Sequence, residues 1–182
     1  MALVTRVQIS LAHPTFNMKI YVISDTHFHH QNIYKFTTKD GLTRVRPEFK
    51  DAQEADKEMI LRWNSVVTPQ DHVWHLGDFT MGNNLSIVKL LNGHKRLLLG
   101  NHDKCTPQQY KEAGFQKIQA YRFCDRWGIL SHIPLHPDTV GARINIHGHI
   151  HERDEFGPQF RNVSVERINY TPVLLDSFKP TN

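Results

Sequence analysis

Cysteine is scarce in this chain: Cys105 and Cys124 are the only two in 182 residues. Two thiols cannot build a disulfide framework, nor a cysteine-rich zinc site. They read as reduced thiols of a cytoplasmic protein. Long apolar runs are also missing, so no segment supplies the roughly 20 residues that a membrane-spanning helix needs. Met1 to His13 has no charged start followed by a long apolar stretch, so no secretory leader is read there. Repeats and low-complexity tracts are absent. So are an RNP-like aromatic motif, zinc-finger spacing and a recognisable basic helix. The net charge of +4 is a modest excess. It suits an anionic substrate without demanding nucleic acid.

What the chain does have is histidine, 13 of them. Most fall in short clusters, and imidazole is both a common metal ligand and the proton carrier of neutral pH. The length and a hydrophobic content of 39% fit one globular domain with a sizeable core. Residues 1–17 read as an N-terminal extension and 18–182 as a single domain. Within the extension, Val7, Ile9 and Leu11 alternate with polar residues as in a short half-buried strand. Met18 could serve as an alternative translation start.

Lys19 to Ser24 is a β-rich apolar run ending at Asp25, and Thr26 to Asn32 is the loop that leaves it. Residues 35–50 are polar and basic, without helical periodicity, and read as a long excursion. Asp51 can cap a helix reaching Val66, with Ala55, Met59, Ile60 and Trp63 on one face. Val73 to Leu76 is a strand ending in Gly77-Asp78. Asn84 can cap a helix carrying Leu85, Val88 and Leu91, stopped at Gly93. Arg96 to Leu99 is a strand ending in Gly100-Asn101-His102-Asp103. Thr106-Pro107 opens a helix that ends at Gly114. Ile118–Phe123, Gly128–Ser131, Arg143–His147 and Val163–Arg167 read as further strands, with turns near Pro137-Asp138 and around residues 155–158. The front half is βαβ-like and the back half mostly β. Loops after several strands therefore meet at one edge, where α/β folds place their sites.

Five of these segments carry metal-ligand residue types: Asp25-x-His27, Gly77-Asp78, Gly100-Asn101-His102-Asp103, His132 within Leu130–Pro134, and Gly148-His149-x-His151. D-x-H or G-D alone occurs by chance in many proteins, and a lone His at a strand end is more often structural. G-N-H-D is more specific. All five in this order within one short chain form a strong signal. The series resembles the signature of the calcineurin-like metallophosphoesterases, and the stretches "ISDTHFHHQNI", "HLGDF", "LLLGNHDK", "LSHIPL" and "HGHIH" look like their small, cap-less bacterial and phage members. The likeness covers nearly all of the chain from Met18 onward.

The resemblance implies a four-layer αββα sandwich, two mixed sheets flanked by helices. It places Asp25, His27 and His151 on one divalent metal, Asn101, His132 and His149 on a second, with Asp78 bridging both. It makes His102 the proton donor in hydrolysis of a phosphate ester by a hydroxide that the two metals activate; Asp103, next in the chain, is a candidate acceptor to orient His102. Mixed carboxylate, imidazole and amide ligands suit Mn, Fe, Zn or Ni, Mn being the metal to supply in vitro. Strand alternation puts His149 and His151 on the same side. Gly100 and Gly148 let backbone approach closely.

Of the remaining residues, His30 and, in the 35–50 excursion, Arg44 and Arg46 are candidate substrate contacts, the excursion acting as an anion-gripping lid. A solvated loop is the plain alternative. His29 reads as solvent-facing, His75 and His136 as structural, His147 as either site support or packing, and His13, His72 and His94 as surface. Trp63, Trp74 and Leu97–Leu99 read as core. The expected partner is a phosphorylated small molecule, a nucleotide or a nucleic-acid end, with no membrane. The alternatives are a nuclease using the same metals and, ranked below it, a catalytically silent scaffold.

Overall fold

The structure, a computed structural model, describes residues 17–153 and 156–180. The strand expected at Val7–Leu11 lies outside the described residues. β1 (Ile20–Ile23), β2 (His72–His75), β3 (His94–Leu98) and β4 (Lys117–Gln119) run parallel in the order β4-β3-β2-β1, and β9 (Val173–Leu174) closes the far edge antiparallel to β1. A second sheet has the order β5-β6-β7-β8, from β5 (Tyr121–Cys124), β6 (Gly128–Ser131), β7 (Ile144–His147) and β8 (Phe160–Asn162). Its β6, β7 and β8 are parallel, and β5 is antiparallel to β6. The two mixed sheets with helices are the α/β sandwich that the resemblance implies.

Alternation along the strands builds two cores. Tyr21, Ile23, Val73 and Leu97 face α1 (Ala52–Val66) and α2 (Pro107–Ala113), packing against Ala55, Met59, Trp63 and Tyr110. Val22, Trp74, Leu76 and Leu98 point the other way and meet Leu130, Ile146 and Val163 between the sheets. Burying a Met- or Leu-sized side chain is worth about 1.5–3 kcal/mol, so both layers contribute to the fold. Asp51 caps α1 by accepting the Glu54 N–H at 2.9 Å. Thr106 and Gln109 form a reciprocal capping box on α2, with Pro107 in its first turn. Each of the steps β1 to β2 to β3 to β4 goes to the next strand in the same direction, which keeps their crossovers on one face.

Four local expectations need correction. The single strand expected over Ile118–Phe123 breaks at Ala120: Lys117–Gln119 pairs with β3, and Tyr121–Cys124 crosses to the second sheet. Continuous β propensity cannot show that change of partner. The strand expected at Val163–Arg167 is displaced to Phe160–Asn162. Val163 still donates to the His147 carbonyl, but Ser164 turns the chain and Val165–Arg167 is a 3-10 turn. Asn84 does not cap an α-helix; its side chain accepts the Ser86 N–H at 3.1 Å and starts a 3-10 turn over Ser86–Leu90. The turn at Pro137-Asp138 is a four-residue helix, α3 (Pro137–Val140), with His136 at its N-cap.

Candidate metal centre

Parallel strands end at a common edge, and this edge gathers the predicted ligands. Asp25, Asp78 and Asn101 follow β1, β2 and β3, while His132, His149 and His151 follow β6 and β7. A parallel bridge between Ser24 and Ser164 ties the two sheets together there. The structure brings all seven predicted ligand residues to one place. Asp25, His27 and His151 form one group and Asp78, His132 and His149 another, each with ligand atoms within 4.8 Å of one another. Asp78 Oδ2 stands between them, 3.5 Å from His27 Nε2 and 3.5 Å from His132 Nε2. Asn101 Oδ1 lies 3.0 Å from His132 Nε2, on the second group's side.

Hydrogen bonds behind the rings set their tautomers. His132 Nδ1 faces the Leu76 carbonyl at 3.0 Å, an acceptor only, so Nδ1 carries a proton and Nε2 is the nitrogen presented to Asp78. His151 Nδ1 lies 3.0 Å from Glu166 Oε1, and the same logic turns its Nε2 toward Asp25. Burial, helped by the nearby His151, drives His27 down to about 2 and keeps its ring neutral. Burial also opposes ionisation of Asp78, but the hydrogen bond and charge of His132 and the His102 N–H outweigh it, and the carboxyl sits below its usual range. Neutral imidazoles and ionised carboxylates are the forms that bind metals.

Three observations test whether these residues fit divalent metals. Asp25 Oδ1 and both ring nitrogens of His27 are buried without a hydrogen-bond partner among the described residues. Unpaired buried polar atoms are costly, and two of these, Asp25 Oδ1 and His27 Nε2, lie 4.0 Å apart, a spacing that fits a cation between them. Gly100 and Gly148 leave space for the carboxylates: a Cβ at Gly100 would come under 3.0 Å from the Asp78 carboxylate and backbone N, and one at Gly148 equally close to Asp25 Oδ2 and Ser24 Oγ. Finally, Asp25, His27, Asp78, His149 and His151 all hold positive φ, between 45° and 71°. Each costs on the order of 1 kcal/mol or more in a non-glycine residue, and such strain concentrates at functional sites.

Comparison with known proteins agrees with this geometry. The family model described as calcineurin-like phosphoesterase matches residues 18–176. The chain belongs to this family. It is 38% identical to the uncharacterized protein MJ1445 of Methanocaldococcus jannaschii over 173 residues, covering 87% of this chain and 88% of that one. It is 30% identical to the gene 66 protein of Mycobacterium phage L5 over 129 residues, 68% of this chain and 52% of the phage protein. Among solved structures, a protein of unknown function from Aquifex aeolicus, AQ665, superposes with a TM-score of 0.68 at 29% identity, covering 88% of this chain and 97% of that one. As a calcineurin-like phosphoesterase, the chain falls in a metal-dependent phosphoester hydrolase family, and it presents two clusters able to hold metal.

The residues around the ligands sort differently from expectation. His102 is half-buried, its ring 5.3 Å edge-on from that of His27, and it lines a cavity with His27 and His151. Asp103 does not orient it. The Asp103 carboxylate accepts the backbone N–H groups of Asp78 (2.9 Å), Phe79 (3.1 Å) and Gly100 (2.8 Å) and the Tyr110 hydroxyl (3.2 Å), pinning the two ligand loops together. Four donors already claim its two oxygens.

Arg46 is corrected as well. It is fully buried, donating to Glu166 Oε1 (2.8 Å) and to the carbonyls of Thr26 (3.0 Å) and Asp25 (2.6 Å). It braces the first ligand loop from behind and reaches no substrate. Arg44 spends its guanidinium on the Phe49 and Pro47 carbonyls of its own loop. Of the basic residues in the excursion, Lys39 lines the cavity, together with His30. His29 is tied to Asp56 of α1 at 3.1 Å. His75 is buried, its Nδ1 accepting the Gly77 N–H at 3.2 Å and its Nε2 donating to Thr26 Oγ1 at 3.0 Å, a structural role. His147 is buried, stacked edge-on against Phe160.

Glu166 and Ser164 carry no motif that marks them in the sequence. Ser164 Oγ donates to Asp25 Oδ2 at 3.0 Å. Both sit in a stretch that reads as an ordinary strand, and only the fold brings them under the ligands.

Proposed function

We propose that this chain hydrolyses phosphate esters at a two-metal centre built from Asp25, His27, Asp78, Asn101, His132, His149 and His151, with His102 as proton donor. The observation that carries this is Asp78, one of whose oxygens stands equally close to a histidine of each cluster. That is the placement required of a carboxylate shared by two cations. Divalent ions held there, Mn, Fe, Zn or Ni by ligand type, would supply Lewis-acid stabilisation and a strong oxygen nucleophile near neutral pH.

The chain's own groups do the rest. The His102 backbone N–H bonds Asp78 Oδ1 at 2.8 Å, which fixes the imidazole at the cavity wall. From there its ring can protonate an oxygen leaving phosphorus. Asn101, beside His132 on the second group's side, would with His102 support charge growing on the phosphoryl oxygens. Glu166 and Ser164 hold His151 and Asp25 in position. The substrate class is a phosphorylated small molecule, a nucleotide or a nucleic-acid end. No helix among the described residues is long and apolar enough to cross a membrane. Cys105 and Cys124 are both buried free thiols, in keeping with a cytoplasmic setting.

The test is hydrolysis of p-nitrophenyl phosphate and bis(p-nitrophenyl) phosphate with added Mn²⁺, alongside Asp78→Asn and metal analysis. Asp78→Asn should lower turnover at least about a hundredfold, in the range that loss of a metal-site group costs, and reduce bound metal. Undiminished turnover in Asp78→Asn, or in chelator-treated protein, would overturn the proposal.

A further inference from the structure

Two separate cavities adjoin the ligand groups, and they share no lining residue. The first, about 570 Å³, is walled by His27, His102 and His151 and continues over Ile33, Phe36 and Met81. The second, about 580 Å³, starts at Asn101 and His132 and runs along the outer face of the second sheet past Ile129, Tyr121 and Phe123. Each is within the size range of small-molecule pockets and predominantly apolar, as such pockets are. Each also displays aromatic surface: Phe36 is 51% exposed in the first, and Tyr121 (56%) and Phe123 (50%) in the second. Each has cationic company, Lys39 and Arg153 in the first and Arg143 over the Phe123 ring, 5.6 Å from its centroid, in the second. Asn101 and His102 are neighbours in the chain, so the dividing ridge between the cavities lies at the reacting centre itself.

We propose that the substrate is a phosphodiester whose two ester oxygens each carry a group bearing a flat ring, as an internucleotide linkage does with a base on each of its two sugars. This deepens the phosphoesterase reading and rests on it. A monoester has one organic group and would use one cavity; a diester fills both. Stacking on exposed aromatic rings holds flat groups without hydrogen-bond readout, and nearby cations favour the adjoining phosphates of a strand. The geometry also gives the substrate a direction. His102 faces the first cavity, so the departing group lies there, and the retained group lies in the second. Water adds its oxygen to phosphorus, and the bond to the departing oxygen breaks. That oxygen takes the proton of His102, the ring is reprotonated with a proton released by the water, and the product in the second cavity is a monoester.

Three substrates and two variants separate these ideas. On bis(p-nitrophenyl) phosphate, Phe36→Ala and Phe123→Ala should each raise KM about five- to tenfold, the lower range for loss of an aromatic stacking platform. Methyl p-nitrophenyl phosphate loses its aryl group and retains only methyl, so Phe36→Ala should raise its KM while Phe123→Ala leaves it unchanged. The monoester p-nitrophenyl phosphate should be turned over with a kcat/KM at least about tenfold below the bis ester. Equal or better use of the monoester, or a Phe123→Ala variant that treats the two diesters alike, would refute the diester assignment while Asp78-dependent hydrolysis kept the phosphoesterase reading intact. No hydrolysis of any of the three by the Mn²⁺-loaded wild-type protein would instead remove the phosphoesterase reading and the inference with it.

Discussion

Arg46→Ala is a sharp test of the brace beneath the ligand loop. The side chain is fully buried and makes three strong contacts: one to the Glu166 carboxylate and two to the carbonyls of Asp25 and Thr26. Burial works against the charge of Arg46, but Glu166 and Tyr34 outweigh it and hold the guanidinium above its usual range. Removing one partner of a buried ion pair costs about 3–5 kcal/mol, because the other charge is left without compensation. The two carbonyls would add to this, though not additively, since water can enter the space left behind. A loss of about 4 kcal/mol is therefore expected, or roughly 8–16 °C in Tm for a chain of this size. Urea denaturation of metal-free protein measures it. Arg46→Met combined with Glu166→Leu should recover much of the stability, since a buried pair replaced by apolar groups is often neutral. The double variant should still bind metal poorly, because His151 has lost the acceptor that sets its tautomer. An Arg46→Ala protein within about 1 kcal/mol of wild type would refute the buried-brace reasoning. If the double variant bound metal normally, Glu166 would not be positioning His151.

Three further outcomes follow from particular contacts. Gly100→Ala should fold yet lose bound metal, because its Cβ would press on the Asp78 carboxylate; elemental analysis showing full occupancy would count against that crowding. His102→Ala should cut kcat by about 10²–10⁴ on esters with alkyl leaving groups, and by less on p-nitrophenyl esters, whose departing oxygen needs little protonation; equal losses on both would argue against an acid role. Burial pulls His75 down to about 3, below the unfolded value of about 6.5. The unfolded chain therefore takes up a proton first as pH falls, so His75 contributes stability above pH 6.5 that is lost progressively toward pH 3. Unfolding midpoints between pH 7 and 4 should fall less steeply in His75→Gln than in wild type, and parallel slopes would show that His75 is not responsible.

The parallel half of the fold was legible because its signals are local. Asp51, Thr106-Pro107 and Gly114 mark helix ends through contacts made within a few residues. The apolar runs of β1, β2 and β3 are buried on both faces and need no knowledge of their partners. The β half is less legible, because strand identity there depends on which sheet the chain joins. Nothing in Ile118–Phe123 announces the switch at Ala120, and Val163 keeps its pairing while Ser164 turns away to meet Asp25.

The site divides along the same line. Metal-ligand residue types sit in short motifs directly after strands, so their gathering follows from parallel strands ending at one edge. Their support does not. Arg46 lies 120 residues from Glu166 in sequence, and a basic, unpatterned loop is equally compatible with a solvated arm, a phosphate grip or a buried strut. Charge alone favours the first two, since arginine is seldom fully buried. What decides for the third is the left-handed backbone of Asp25 and His27, which leaves the Asp25 and Thr26 carbonyls turned inward and needing donors. A guanidinium can satisfy two carbonyls and a carboxylate at once, which lysine cannot do with the same geometry. The strain that shapes the metal loop thus also selects the residue beneath it, and Glu166 follows because a buried arginine requires an anion. That anion in turn faces His151, so the excursion at 35–50 acts on the metal centre from below through a chain of contacts no motif records.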